Sequence, residues 1–252
     1  MGRETELRLM KTAAEKAAYA LIRDFGELEK LQVSRKGFKN FVTAADTRAE
    51  ERLIKELMKA RPSFSFLCEE SGKITRDDPN SVWIIDPIDG TTNFMRGIPY
   101  FAINIGLIEN GVTVAGLTLD PMRGDCFSTS LGDGAFLKNR CRLRVSGRLS
   151  ISEAVIATHT DPSTEFKIMQ SGVITRRTGS VALDLAYVAA GKYDAAIAHN
   201  VKLWDFAGGI LMVKESGGFV HCTKKDDAMC DVVAASSEKL LENLVLLLKD
   251  QS

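Results

Sequence analysis

Trp83-Ile84-Ile85-Asp86-Pro87-Ile88-Asp89-Gly90-Thr91-Thr92-Asn93-Phe94 is the most informative stretch of this chain. The apolar run Val82 to Ile85 reads as a buried strand, and two aspartates stand at its C-terminal end. Pro87 fixes a turn between them and bars further strand pairing. Gly90 permits a tight turn, and Thr91-Thr92 can open a short helix whose unpaired N–H groups suit a phosphate. Two carboxylates beside an anion site would repel the anion unless a divalent cation lies between them. Oxygen ligands of this kind suit hard ions such as magnesium. A pair of aspartates in a turn is, standing alone, most often a solvated loop, so the reading depends on the rest of the chain.

Three further features support it. Phe64 to Cys68 reads as a second buried strand, and it ends in Glu69-Glu70-Ser71-Gly72. Asp205 follows Trp204 at the start of an apolar helix, where an N-cap role would also explain it. Asp46 follows Val42-Thr43, in the first turn of a helix that Thr43 could cap. Strand ends and helix starts are where sites gather in mixed α/β folds.

Around these points the periodicity predicts a helix over residues 4 to 25, from Leu7, Met10, Ala14, Ala17, Leu21 and Phe25, stopped near Gly26. Ser34 to Asn40 reads as a loop, and a helix follows to about Ala60 with Leu53, Ile54, Leu57 and Met58 inward. Phe101 to Ile108, Asn110-Gly111 and Val112 to Leu119 form a strong hairpin signal. Cys126 to Ser130 and Gly134 to Val145 continue the antiparallel pattern. Beyond residue 150, strands at Val155, Ile174, Ala195 and Val232 alternate with helices over Ser180 to Ala190, Trp204 to Ser216 and Glu238 to Lys249. The fold class is therefore α+β in residues 1–145 and α/β in 146–252, two halves sharing an interface.

Composition excludes several functions. Thirty-three basic residues balance thirty-three acidic ones, so no electrostatic reason favours nucleic acid or an acidic membrane as partner. Arg140-Cys141-Arg142-Leu143-Arg144 is a basic stretch without interleaved aromatics and reads as a solvated strand face. No apolar run reaches the ~18–20 residues of a membrane span. Residues 1–15 lack the apolar core of a signal peptide, so a cytoplasmic location is expected. The five cysteines are odd in number and form no CxxC pair, which argues against a disulfide framework or a zinc site. His159, His199 and His221 show no pairing pattern and read as structural or exposed.

WIIDPIDGTTNF (83–94) and WDFAGGILMVKESGG (204–218) resemble the two signatures of the inositol monophosphatase family, and FLCEESG (66–72) and VTAADTRAEE (42–51) resemble its remaining motifs, in the family order. The resemblance implies a layered αβαβα sandwich, a homodimer, lithium sensitivity and hydrolysis of a small phosphate ester by metal-activated water. It implies two or three magnesium ions. Glu69, Asp86 and the Ile88 carbonyl resemble ligands of the first, and Asp86, Asp89 and Asp205 those of the second, with Glu69 also holding a third through water. Thr91, paired with Asp46, would orient the attacking water. Gly90, Thr91 and Thr92 would present N–H groups to the phosphate. The chemistry is consistent, because phosphate monoesters need very large transition-state stabilisation, and two ions ~4 Å apart can clamp attacking and leaving oxygens.

Two positions depart from the pattern. Asn40 stands where the family's mobile metal loop usually carries an acid, and Ala198 stands seven residues before Asp205, where the family usually has a glutamate contacting inositol. A methyl cannot accept those hydrogen bonds, which opens the alcohol side of the site to other esters. Arg176, Gly179, Ser180 and Lys202 are the remaining substrate candidates. Fructose 1,6-bisphosphate, histidinol phosphate and nucleotide phosphates stay open as substrates. A catalytically silent binding protein is the alternative from a different class, although no metal carboxylate is lost.

Overall fold

The computed structural model describes residues 3–31, 35–225 and 229–249, with only the backbone described for 29–31 and 35–41. Two long helices open the chain, α1 (Glu4–Leu31) and α2 (Arg35–Ala60). An antiparallel-rich series follows: β1 (Phe64–Cys68), β2 (Gly72–Ile74), β3 (Asp78–Asp89), the short helix α3 (Thr91–Met95), β4 (Ala102–Glu109), β5 (Val112–Asp120), β6 (Asp125–Ser130), β7 (Gly134–Leu137) and β8 (Cys141–Arg142). The later part contains a 3-10 turn, then β9 (Val155–His159), α4 (Pro162–Gln170), β10 (Ile174–Arg176), α5 (Val181–Ala189), β11 (Ala195–Lys202), α6 (Leu203–Glu215), β12 (Phe219–Lys224), β13 (Met229–Ala235) and α7 (Glu238–Lys249).

These elements build two sheets. The first runs β2-β1-β3-β4-β5-β6-β7-β8, the second β10-β9-β11-β13-β12. Three apolar clusters show how they stack. The outer face of the first sheet packs on α1 and α2, through Met10, Leu21, Leu53, Trp83, Ile85, Ile105 and Leu117. Its other face meets α5 and α6, which also cover the second sheet through Ala196, Ala198, Val232 and Ala234. Alternate residues of those same strands, Ala195, Ile197, Val233 and Ala235, face outward onto α4 and α7. The period-2 side-chain alternation of a strand thus places the second sheet between two helical layers. The result is the layered αβαβα sandwich.

Helix α6 lies unusually close to the first sheet. Gly106 and Gly116 face it, and a Cβ added to Gly116 would lie 2.6 Å from the Cα of Gly208. The Asn104 amide also donates to the Trp204 carbonyl at 2.6 Å. Close contact of this kind requires glycine on both sides.

Several boundaries differ from the sequence reading. Helix α1 passes through Gly26 to Leu31, because Leu28 continues the buried stripe at full burial. One helical glycine costs only ~1 kcal/mol, less than burying a leucine returns. Helix α2 begins at Arg35, not Thr43, so residues 35–40 are helical rather than a loop, and Thr43 is interior. Ser34 lies outside the described residues. Pro87 does not end its strand. β3 pairs with β4 through Asp86–Asn104 and again through Asp89–Ala102, with an irregularity between. The proline sits in that bulge, where no ladder N–H is required. The second sheet is parallel only across β10, β9 and β11; β13 and β12 join antiparallel.

Candidate active site

The ends of β1 and β3 and the start of α6 bring four carboxylates together. β1 pairs in parallel with β3, Cys68 opposite Ile85, and the Glu69 N–H donates to the Ile85 carbonyl at 3.1 Å. Glu69 therefore leaves its strand beside Asp86. Asp86 is almost wholly buried and lies in the fields of Asp89, Glu69 and Asp205. Burial and these like charges hold its pKa well above the usual carboxylate range. Its Oδ1 accepts from the Ile88 N–H at 2.9 Å, which shapes the bulge.

Asp89 is also buried, and its environment is split. Burial and the charge of Asp205 raise its pKa to about 7, against hydrogen bonds from Ser180, Ala182 and Val181 that favour the anion. Its Oδ2 accepts from the Ala182 N–H at 2.8 Å and from the Ser180 hydroxyl, and Oδ1 from the Val181 N–H at 3.3 Å. Those N–H groups open α5, so Asp89 neutralises the positive end of that helix. Asp205 is the third residue of α6, and its Oδ2 accepts from the Lys202 N–H at 2.7 Å. It is thus a reach-back cap rather than an N-cap. Burial, opposed by that bond and reinforced by Glu69, lifts its pKa to about 6.

Asp46 approaches from α2. It is buried, and burial with the charges of Glu70, Glu69 and Glu50 raises its pKa to about 8. Its Oδ1 is buried with no hydrogen-bond partner. The Thr91 hydroxyl donates to the Ile88 carbonyl at 3.0 Å, not to Asp46. The first turn of α3 starts from Gly90 at φ 97°, a left-handed conformation. A Cβ there would lie 3.2 Å from the carbonyl oxygens of Gly179 and Tyr100. Asn93 ties these loops together by donating to Tyr100 O at 2.7 Å and Thr178 O at 2.8 Å.

The donor set is all oxygen and all acidic. Among the described residues no three such side chains converge closely enough, as they stand, to hold an ion. Asp86 and Asp205 each direct one carboxylate oxygen into backbone bonds and keep the other free of them. Buried like charges with raised pKa values, and an orphaned Asp46 oxygen, are what a hard divalent cation would relieve. The donor types are those that suit a hard divalent cation, although both Asp89 oxygens are already taken by Ser180, Val181 and Ala182.

The substrate candidates scatter more widely. Arg176 is exposed at the end of β10 and donates to Thr175 O at 2.9 Å. Gly179 abuts Asn93, and Ser180 caps α5 while bonding Asp89. Ala198 is buried in β11 opposite His159 and Val232. The Lys202 ammonium lies 4.9 Å from the Trp204 ring centroid. Asn40 lies outside the residues whose side chains are described. Sequence reasoning missed Asn93 and gave Ser180 a substrate contact without its bond to Asp89. Their signals, a polar residue after Thr-Thr and a serine before an apolar helix, were present but generic.

The Inositol monophosphatase family model matches residues 3–251. The chain belongs to this family. The inositol-1-monophosphatase of Caulobacter vibrioides is 46% identical over 239 residues, covering 90% of this chain and 93% of that one. The Nus factor SuhB of Xylella fastidiosa is 37% identical, covering 88% and 83%. The extragenic suppressor protein suhB of Bartonella henselae has a similar structure, with a TM-score of 0.87 at 39% identity over 98% of this chain and 100% of that one. Membership of the inositol monophosphatase family makes this chain a phosphoric monoester hydrolase.

Proposed function

We propose that the chain hydrolyses a small phosphate monoester of the inositol-1-phosphate type, with two or three magnesium ions held by Glu69, Asp86, Asp89, Asp205 and the Ile88 carbonyl. The observation that carries this reading is the shared burial of Asp86 and Asp89 in the fields of Glu69 and Asp205. When bound, magnesium supplies the charge that draws in the phosphate and lowers the pKa of the attacking water. Gly90, Thr91 and Thr92 offer the phosphate the free N–H groups of the first turn of α3. Thr91, whose hydroxyl donates to Ile88, and Asp46, whose Oδ1 has no partner, are the pair that would orient the water. Residues 1–145 carry most of the metal ligands, and residues 146–252 carry Asp205 and the alcohol side.

The alcohol side favours a broader substrate range than inositol phosphate alone, because Ala198 offers no acceptor. Fructose 1,6-bisphosphate, histidinol phosphate and nucleotide phosphates belong in the same assay. The reading extends to a homodimer, a cytoplasmic location and inhibition by lithium. No described helix is long and apolar enough to cross a membrane. A second reading draws on the relatives named Nus factor SuhB, and takes the fold as a factor of that kind. Retention of every cluster carboxylate favours the catalytic reading. The deciding experiment is phosphate release from the ester panel with and without magnesium. Magnesium-dependent release is expected, and no release from any ester would leave the second reading standing.

A further inference from the structure

One buried acid in this region has no part in the scheme above. Glu50 lies one helical turn beyond Asp46 on α2 and is 1% exposed. Among the described residues its carboxylate forms no ion pair. It caps the turn that follows β1. Oε2 accepts from the Glu70 N–H at 2.9 Å, and Oε1 from the Ser71 N–H at 2.9 Å and from the Ser71 hydroxyl. A buried carboxylate satisfied by two backbone donors and a hydroxyl is a specific, directional arrangement, since these charge-assisted bonds are about twice as strong as neutral ones.

The turn it holds is the one that presents Glu69. On its strand side, Glu69 is fixed by its own N–H on Ile85. On its helix side, the next two residues are fixed by Glu50. The same helix carries Asp46, whose carboxyl lies in the fields of Glu70, Glu69 and Glu50. We infer that Glu50 is a positioning residue: it sets Glu69 at the metal cluster and locks the spacing between Glu69 and Asp46. The inference rests on the proposed magnesium chemistry. Alternative explanations of Glu50 are weaker. As a helix-face acid it would be solvated, and as an ion-pair partner it would face a cation.

Glu50→Gln keeps the shape but presents an amide N–H₂ to at least one of three donors, so the turn loses its clamp. Groups that orient metal ligands typically change metal affinity or activity by about 10–100-fold when removed. The test is calorimetric titration of the purified full chain with magnesium alone, alongside phosphate release as a function of magnesium. For Glu50→Gln we expect at least a tenfold weaker magnesium affinity and a matching rise in half-activating magnesium, while kcat at saturating magnesium stays within about threefold. Ser71→Ala, which removes one of the three bonds, should shift affinity in the same direction by a smaller factor and fold regardless. Wild-type magnesium affinity in a folded Glu50→Gln would overturn the inference. If Glu50→Gln does not fold, an unchanged affinity in Ser71→Ala would do the same. Failure of the wild-type chain itself to bind or respond to magnesium would instead strike the proposed function.

Discussion

The proposed metal side and the proposed alcohol side of the candidate site are built on opposite principles. Around Asp86 and Asp89, the backbone is bulged, the carboxylates are buried, and nearly every oxygen has an assigned donor from Ile88, Ser180, Val181 or Ala182. Around Ala198, strand β11 supplies a methyl group to an apolar layer, and a bulge between Ala198 and Val201 is the only irregularity in its pairing with β13. Like charges are forced together on one side, and polar partners are few on the other. On the proposed reading, the contrast teaches that the reaction type rests on dense, costly polar construction, while substrate choice is left to a thinly furnished wall.

Breaking the first side should have the largest effect. Asp86→Asn should reduce phosphate release by ~10³-fold or more while circular dichroism stays unchanged, because one charge shared between ions is removed. Full activity with unchanged bound metal would end the two-metal assignment.

The seating of α6 comes next. Gly116→Ala should lower stability to denaturant by about 3 kcal/mol, since its methyl would overlap the backbone of Gly208. Gly26→Ala, with open space around it, should be neutral or stabilise by about 0.5–1 kcal/mol. Equal behaviour of the two variants would show that the helix can lift freely.

The second side can be sharpened by Ala198→Glu. The native chain should prefer inositol 1-phosphate only weakly over glycerol 2-phosphate and nucleoside monophosphates. A restored charged acceptor, worth about 1.5–3 kcal/mol, should raise that preference by roughly one to two decades in kcat/KM. A preference above about a hundredfold that Ala198→Glu leaves unchanged would place selectivity elsewhere.

The smallest effect concerns pH. Asp46 and Asp89 have folded-state pKa values of about 8 and about 7, above their unfolded values. The metal-free folded chain therefore holds protons that the unfolded chain releases. This stabilisation is complete below about pH 4 and is lost as pH rises through 7 to 8. The metal-free midpoint should therefore fall as pH rises from 5 to 8. Magnesium at pH 8 should reverse the loss, and a midpoint rising with pH without metal would contradict it.

The same contrast governs what was legible in the sequence. Strands β1, β4 and β5 were readable because their signals are local: an apolar run, and Asn110-Gly111 in left-handed conformations at the hairpin. The carboxylate cluster was readable because motif spacing and family resemblance agreed. Helix α4 was missed despite Asp161 capping it and Pro162 at its first position, a local signal present in the sequence. Strand β12 was missed because it is an edge strand with mostly exposed residues, so no apolar alternation marks it. Glu50 was invisible for a different reason. Along a helix its spacing is that of a solvated face, and only tertiary contact with Glu70 and Ser71 gives it a role.

The meeting of Gly116 with Gly208 has a consequence for how the site tolerates change. Side-chain layers are compressible in the sense that one rotamer can yield to another, so helices seated on them drift as cores are rewritten. Main chain against main chain offers no such adjustment. Asp205 stands three residues before Gly208 on the same rigid helix, and the Trp204 carbonyl is tied to Asn104 of the sheet. The elevation of Asp205 over the strand aspartates is thus set by the thickness of two backbones, a length that no repacking of the surrounding leucines and valines can alter.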